Sequence, residues 1–205
     1  MNAVFITGSP ALAALLVFCS GCVSFERGYP DQHYFVIEVK RNVNPPTTSG
    51  NGVVEVADVQ ISPRYTEKSF VYRTSDARYE SDFYNQFLVA PAALITEELR
   101  KGLAQSQVFR HVIGSSNQLQ PTHVLQAAVS GLYGDFRNGS APKAVLEMEF
   151  LLTKEADGRS QIVLEKSYAK TVDVIRRSPE ALVQGWSQAL EEILTALVVD
   201  LKAAT

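Results

Sequence analysis

Residues 144–154, AVLEMEFLLTK, alternate between apolar and polar side chains over most of their length. The apolar residues of one parity are Leu146, Met148, Phe150 and Leu152. The opposite parity holds Glu147 and Glu149. A period of two is typical of a β-strand that packs one face on a core and turns the other face to water. This stretch therefore predicts a half-buried strand with both glutamates on its solvent face.

Turn signals on both sides of this strand extend it into a meander. An NG dipeptide at 138–139 precedes the strand and a DG dipeptide at 157–158 follows it, and such dipeptides favour the tight turns of hairpins. Further strand-like segments lie beyond the turns, at residues 122–136 and 161–175. Gly131 and Gly134 in the first of them indicate a bend or bulge. Together the three segments predict an antiparallel meander.

The rest of the chain predicts additional strands and two amphipathic helices. Strand patterns occur at residues 33–40, 53–61, 69–73 and 78–83. Apolar residues recur at three and four positions over residues 90–105, which indicates a helix. A second helix follows Ser178, a favoured N-cap residue, and Pro179, a favoured first residue. We therefore expect one α+β domain over residues 33–205, with a mixed, largely antiparallel sheet and two amphipathic helices packed on one face.

The composition is that of a globular protein. The chain has 205 residues, of which 46% are hydrophobic and 20% charged, and a formal net charge of −3. A chain of this length buries enough surface to fold without disulfides. Its slight negative charge argues against a nucleic-acid partner, which would require a basic surface.

Both cysteines, Cys19 and Cys22, lie at the end of an apolar N-terminal run that includes residues 11–19. Four interpretations are open: a redox CxxC motif, half of a metal site, an apolar anchor or mis-assigned start, and a lipoprotein cleavage motif. No foldable segment precedes the pair, and a spanning helix would need about 20 apolar residues. The small residues before Cys22 favour a cleaved secretory signal.

The sequence CSGC at 19–22 resembles the bacterial lipoprotein motif, although Cys19 stands where leucine is usual. This interpretation makes residues 1–21 a signal peptide that is cleaved between Gly21 and Cys22. The Cys22 thiol then takes a diacylglycerol, and its freed amine takes a third chain such as palmitate. Residues 22–32 form the lipidated cysteine and a tether, so that the body is held at a membrane without spanning it.

The sequence contains no recognisable catalytic motif. His33, His111 and His123 have no acidic or cysteine neighbours at ligand spacing. Glu147 and Glu149 resemble a catalytic pair only in composition, since their strand places them in solvent by default. We therefore expect no enzymatic activity, no cofactor and no metal site.

Aromatic residues are dense between residues 70 and 87, and Phe83, Tyr84 and Phe87 are the unusual ones. No single period places all three rings on one buried face. Core packing and a partner interface both remain open for them.

Three segments resemble the family of ABC-type transport auxiliary lipoproteins, the paraquat-inducible protein C-like group. They are ISPRYTEKSFVYR at 61–73, DFYNQFLVAPAALITEEL at 82–99 and LYGDFRNGSAPKAVLEMEFLL at 132–152. The order and spacing of these segments carry the resemblance, which extends from Cys22 to the C-terminal helix. Phe87 departs from the family pattern, because many members carry tryptophan there.

The resemblance implies a periplasmic lipoprotein of an MCE-type ABC transport system, which moves phospholipid or other hydrophobic molecules between inner and outer membranes. The auxiliary lipoprotein would dock the MCE-domain conduit protein to the outer membrane, and Val23 after the cysteine favours that membrane over the inner one. Such a protein would also be a candidate homo-oligomer.

Three other functions remain open at this stage. One is an outer-membrane assembly or plug lipoprotein, like the partner of the lipopolysaccharide translocon. A second is a periplasmic lipid carrier, which would need a cavity. A third is an envelope hydrolase with an unrecognised site.

Overall fold

Nine strands and two helices are found in residues 31–40, 50–117, 119–156 and 158–205, which are the residues that the structure, a computed structural model, describes. In chain order they are β1 (His33–Phe35), β2 (Val53–Val56), β3 (Gln60–Ile61), β4 (Ser69–Arg73), β5 (Tyr79–Phe87), α1 (Pro91–Ser106), β6 (His111–Gly114), β7 (His123–Asp135), β8 (Lys143–Ala156), β9 (Arg159–Asp173) and α2 (Pro179–Ala204). A short 3₁₀ helix covers Pro63–Tyr65. The predicted signal peptide (residues 1–21), Cys22 and most of the tether lie outside the described residues.

The antiparallel meander predicted from the alternating pattern is confirmed. β7 pairs with β8 and β8 pairs with β9, both antiparallel and along almost their whole lengths. The register shifts between Val129 and Gly131, so the irregularity expected in this strand is present at the first of its two glycines. The predicted core side chains of β8 are all buried, with Leu146 opposite Leu132 of β7.

The prediction that the sheet is largely antiparallel was wrong, and the sheet is mixed. One edge of β7 pairs with β8. Along the other edge β2, β3 and β4 follow one another, and all three run parallel to β7. β2 also pairs in parallel with β6, and β1 with β5, so five of the eight pairings among the described strands are parallel. Alternation and turn signals report pairings across a tight turn, whereas these parallel partners are far apart in the sequence.

Two predicted strands are shorter than their patterns suggested, because side chains from the helices take their backbone donors. After β1, the Glu38 N–H donates to Ser187 Oγ of α2 and the Val39 N–H donates to Glu98 Oε2 of α1. Between β2 and β3, the Val59 N–H donates to Thr96 Oγ1 of α1. These segments tie the helices to the sheet instead of extending it.

Both helices contribute their apolar sides to one hydrophobic core. α2 begins as predicted, with the Ala181 N–H donating to Ser178 Oγ and a proline in its first turn. Six of its apolar residues are buried: Leu182, Trp186, Leu190, Ile193, Leu197 and Leu201. The core residues of α1 include Ile95, Leu99 and Leu103. Residues from Asp31 onward form one compact unit. Neither helix of the described residues has the length and apolar character needed to span a bilayer.

Candidate functional site: the aromatic bulge of β5

A bulge of three residues interrupts β5 where it pairs with β4. Phe70 lies opposite Asp82, but the preceding Ser69 lies opposite Gln86. Residues 83–85 therefore have no counterpart on β4. An insertion of this kind bends the strand and points its extra side chains away from the ladder.

The carboxylate of Asp82 holds the bulge together through four hydrogen bonds. Its Oδ1 accepts from the backbone N–H groups of Tyr84 (2.8 Å) and Asn85 (3.1 Å). Its Oδ2 accepts from Asn85 Nδ2 (2.8 Å) and from the Tyr72 hydroxyl (2.6 Å). The first bond is an Asx turn, and the last one fastens the bulge to the neighbouring strand β4. The extra loop is thus a built feature of the strand and has a defined conformation.

Burial and hydrogen bonding act in opposite directions on the Asp82 carboxyl. Burial favours the neutral acid, but the bonds from Tyr72, Asn85 and two backbone N–H groups outweigh it and hold the pKa of Asp82 below its usual value. Burial, followed by the hydrogen bond to Asp82, raises the pKa of Tyr72. At neutral pH the pair is therefore a carboxylate that accepts from a neutral phenol.

The bulge exposes two aromatic rings side by side. Phe83 is 58% exposed and Tyr84 is 54% exposed, and their rings meet edge to face at 5.6 Å. Phe87, for which core packing and a partner interface were both open, is only 2% exposed. Its ring packs against Phe70 at 4.6 Å and Trp186 at 5.5 Å. Phe87 therefore belongs to the core and cannot line a surface.

Further exposed apolar side chains lie around the bulge, and no sequence pattern indicated them. They are Tyr34 on β1 and Leu88 and Val89 directly after β5. β1 pairs with β5, and the Leu88 N–H donates to the carbonyl of Phe35. We call Tyr34, Phe83, Tyr84, Leu88 and Val89 the aromatic patch. Tyr34 joins the other four only through the pairing of β1 with β5, which are about 50 residues apart in the sequence, and no local pattern indicates that pairing.

Hydrogen bonds tie the end of the tether to the patch. Gln32 Nε2 donates to the carbonyl oxygen of Phe83 at 3.3 Å. The Tyr34 hydroxyl donates to Gln32 Oε1 at 2.9 Å. Lys68 Nζ donates to the carbonyl of Leu88 at 3.1 Å, which places an ammonium group at the edge of the patch.

The other candidate residues lie elsewhere and do not converge. Glu149 is exposed, whereas Glu147 is half-buried. The Glu147 side chain lies over Gly131, and a Cβ atom at position 131 would come within 2.6 Å of Glu147 Oε2. His33 and His111 are exposed on separate strands. No group of three or more potential metal-ligating side chains occurs in the described part of the chain.

His123 is the one histidine of the three that is buried. Its Nδ1 lies 2.9 Å from Thr122 Oγ1, and its ring packs on Phe109 at 5.2 Å. Burial, with a smaller effect from the charge of Lys154, lowers the pKa of His123. This histidine is therefore a packed, neutral side chain at the start of β7.

Solved structures share this fold at low sequence identity. Protein XCC0632 from Xanthomonas campestris superimposes with a TM-score of 0.70 at 14% identity, covering 82% of this chain and 96% of its own. An uncharacterized protein gives 0.65 at 15% identity, with 83% and 98% covered. The hypothetical protein CT253 from Chlamydia trachomatis gives 0.52 at 10% identity, with 76% and 99% covered. These likenesses establish the fold alone, and no curated protein matches the chain.

The family model of the ABC-type transport auxiliary lipoprotein component matches residues 35–198, which include both exposed rings of the bulge, all of α1 and most of α2. This match spans most of the chain and confirms the resemblance seen in the three sequence segments. The chain belongs to the family of ABC-type transport auxiliary lipoprotein components.

Proposed function

We propose that this chain is the lipid-anchored adaptor of an MCE-type ABC transport system that moves phospholipid or other hydrophobic molecules between the inner and outer membranes. The family is one of membrane-anchored lipoproteins that serve ABC-type transport. The observation that carries the proposal is the family match over residues 35–198. The aromatic bulge adds an exposed contact surface next to the segment that leads to the anchor.

In this proposal Cys22 carries the anchor. Cleavage between Gly21 and Cys22 frees an amine and a thiol for acylation, and two or more acyl chains make membrane attachment stable. Val23 directs the mature protein to the periplasmic face of the outer membrane, with the inner membrane as the alternative. The body then stays within reach of an MCE-domain conduit protein that crosses the periplasm.

The environment of the buried polar groups supports a structural role rather than catalysis. Among the described residues, the buried polar or charged side chains are Thr96, Glu98 and His123. Thr96 and Glu98 accept hydrogen bonds from the backbone of Val59 and Val39, and His123 is paired with Thr122. Each of these groups has a hydrogen-bond partner within the fold, whereas a catalytic acid or base would have to be free to exchange a proton with a substrate. We therefore assign the chain no reaction of its own.

Co-purification tests the proposal directly. Full-length protein with a C-terminal affinity tag would be extracted from membranes in mild detergent, and its partners identified by mass spectrometry. We expect the MCE-domain protein of the same cell to be recovered with it. A Cys22→Ser variant is the matched control, because it lacks the anchor and should still bind the conduit protein when mixed with it in solution. Failure of both forms to bind any MCE-domain protein would refute the adaptor role.

A further inference from the structure

Exposed apolar surface is concentrated at the end of the body that the anchor reaches. The described residues contain nine exposed large apolar side chains, and five of them form the aromatic patch. The others are single residues elsewhere in the fold, with Ile162 on β9, Val199 on α2, and Leu119 and Ile175 in connecting segments. Isolated exposed apolar residues are ordinary, but a cluster of aromatic and aliphatic groups marks a contact surface.

The tether limits how far this surface can move from the membrane. Cys22 and Gln32 are ten residues apart, so a fully extended chain between them spans at most about 35 Å. Gln32 is itself bonded to Phe83 and Tyr34 of the patch. An anchor at Cys22 therefore holds the patch near the bilayer at all times, which gives the lipid surface a high effective concentration relative to any other partner.

The chemistry of the patch fits the boundary between lipid headgroups and acyl chains. Tyrosine rings are enriched at that boundary because one end is apolar and the other polar. Phe83, Leu88 and Val89 supply purely apolar area next to the two tyrosines. The ammonium of Lys68, which lies against the carbonyl of Leu88, would meet anionic headgroups at the same depth.

The bulge also keeps its rings in place without a partner. The Asp82 carboxylate fixes the backbone of Tyr84 and Asn85, and the Tyr72 hydroxyl fixes Asp82. Two rings that protrude from a rigid support lose little conformational freedom when they enter an interface. A protein partner would have to supply a matching pocket for them, whereas a bilayer surface accommodates protruding rings without one.

We propose that the aromatic patch binds the headgroup region of the bilayer that holds the Cys22 anchor. Anchor and patch then make two attachments that fix the orientation of the body, with β1 and β5 toward the membrane and β9, at the far edge of the sheet, away from it. This inference rests on the lipid anchor of the proposed function, and it names the lipid surface as the partner of the bulge.

Depth-dependent fluorescence quenching tests the contact between the aromatic patch and the bilayer. The chain has one tryptophan, Trp186, which is fully buried and gives a constant background. Phe83→Trp would be introduced into the full-length acylated protein, which is reconstituted in phosphatidylethanolamine–phosphatidylglycerol vesicles with or without brominated phosphatidylcholine. We expect a blue-shifted emission and at least a twofold loss of the added signal with brominated lipid. Tyr84→Trp should behave in the same way.

Ile162→Trp on β9 is the matched control, because Ile162 is as exposed as Phe83, at 58%. Its added signal should stay unquenched. Equal quenching of the variants on β5 and β9, or none in either, overturns the proposal. It is also overturned if the Phe83→Trp signal is unquenched by lipid and shifts only when a purified MCE-domain protein is added.

The same samples separate this inference from the function on which it rests. Mass spectrometry of the reconstituted protein reports whether Cys22 is acylated. An acylated protein that binds its conduit protein but shows no quenching contradicts only the membrane contact of the aromatic patch. An unacylated N-terminus contradicts both the lipid anchor at Cys22 and the membrane contact.

Discussion

Strand β5 places aromatic rings in two opposite environments. Phe87 sits with Phe70 and Trp186 in the core, while Phe83 and Tyr84, only a few residues earlier, extend into solvent. The difference comes from the backbone, since three extra residues held by Asp82 remove the outer rings from the alternation that buries the inner ones. Whether a ring on this strand is buried or exposed therefore depends on the strand register at its position and not on its residue type.

The largest expected effect comes from truncating one phenylalanine of each group. Phe87→Ala removes a fully packed ring and leaves a cavity, so we expect the free energy of unfolding to fall by about 3–5 kcal/mol. Phe83→Ala is the matched control on the same strand and should change it by less than about 0.5 kcal/mol. Urea unfolding of the soluble Cys22→Ser form measures both. Equal losses would mean that the two rings do not differ in burial.

Removing the carboxylate of the bulge should have the next largest effect. Asp82→Ala leaves the Tyr72 hydroxyl and two backbone N–H groups without their acceptor. Unsatisfied donors of this kind cost about 1–3 kcal/mol, so unfolding should become easier by that amount.

Hydrogen exchange at the Tyr84 and Asn85 amides gives a local measurement of the same change. Both amides should lose protection in Asp82→Ala, while the amides of β8 keep theirs. Unchanged protection at both positions would show that the bulge holds its shape without Asp82.

The local features of this fold could be predicted from the sequence. The period of two in β8 and the Ser178-Pro179 start of α2 are properties of neighbouring residues, and both predictions are confirmed. The parallel pairing of β2, β3 and β4 with β7 could not be predicted, because those partners are brought together by the tertiary fold.

The candidate site was predictable only in part, for the same physical reason. The absence of a single period left core packing and exposure both open for Phe83, Tyr84 and Phe87, and the structure exposes the first two and buries Phe87. The motif DFYN did carry a signal, since an aspartate often accepts the N–H two residues onward. Tyr34 could not have been found, because it joins the patch only through the pairing of β1 with β5.

A smaller effect is expected when the phenol that fastens the bulge is removed. Tyr72→Phe deletes one hydrogen bond to Asp82 and keeps the ring, which stacks on Phe136 at 4.9 Å. We expect a loss of about 1 kcal/mol. In a double-mutant cycle with Asp82→Ala, the two losses should add to more than the loss in the double variant, because both remove the same bond. Strictly additive losses would indicate that the two groups do not interact.

The smallest effect concerns the acid dependence of the bulge. The pKa of Asp82 is lower in the folded protein than its unfolded value of about 4, so the unfolded chain binds the proton more readily. The stabilisation is therefore complete above that unfolded value and is lost as the pH falls through the folded pKa. Asp82→Asn removes this titration, so the stability difference between wild type and variant should be constant near neutral pH and should shrink below about pH 4. Urea midpoints between pH 7 and pH 3 give the comparison, and the other carboxylates, which titrate in both proteins, cancel in it. A difference that stays constant down to pH 3 would mean that Asp82 does not hold the bulge as an ion, and that the outer rings owe their position to backbone geometry alone.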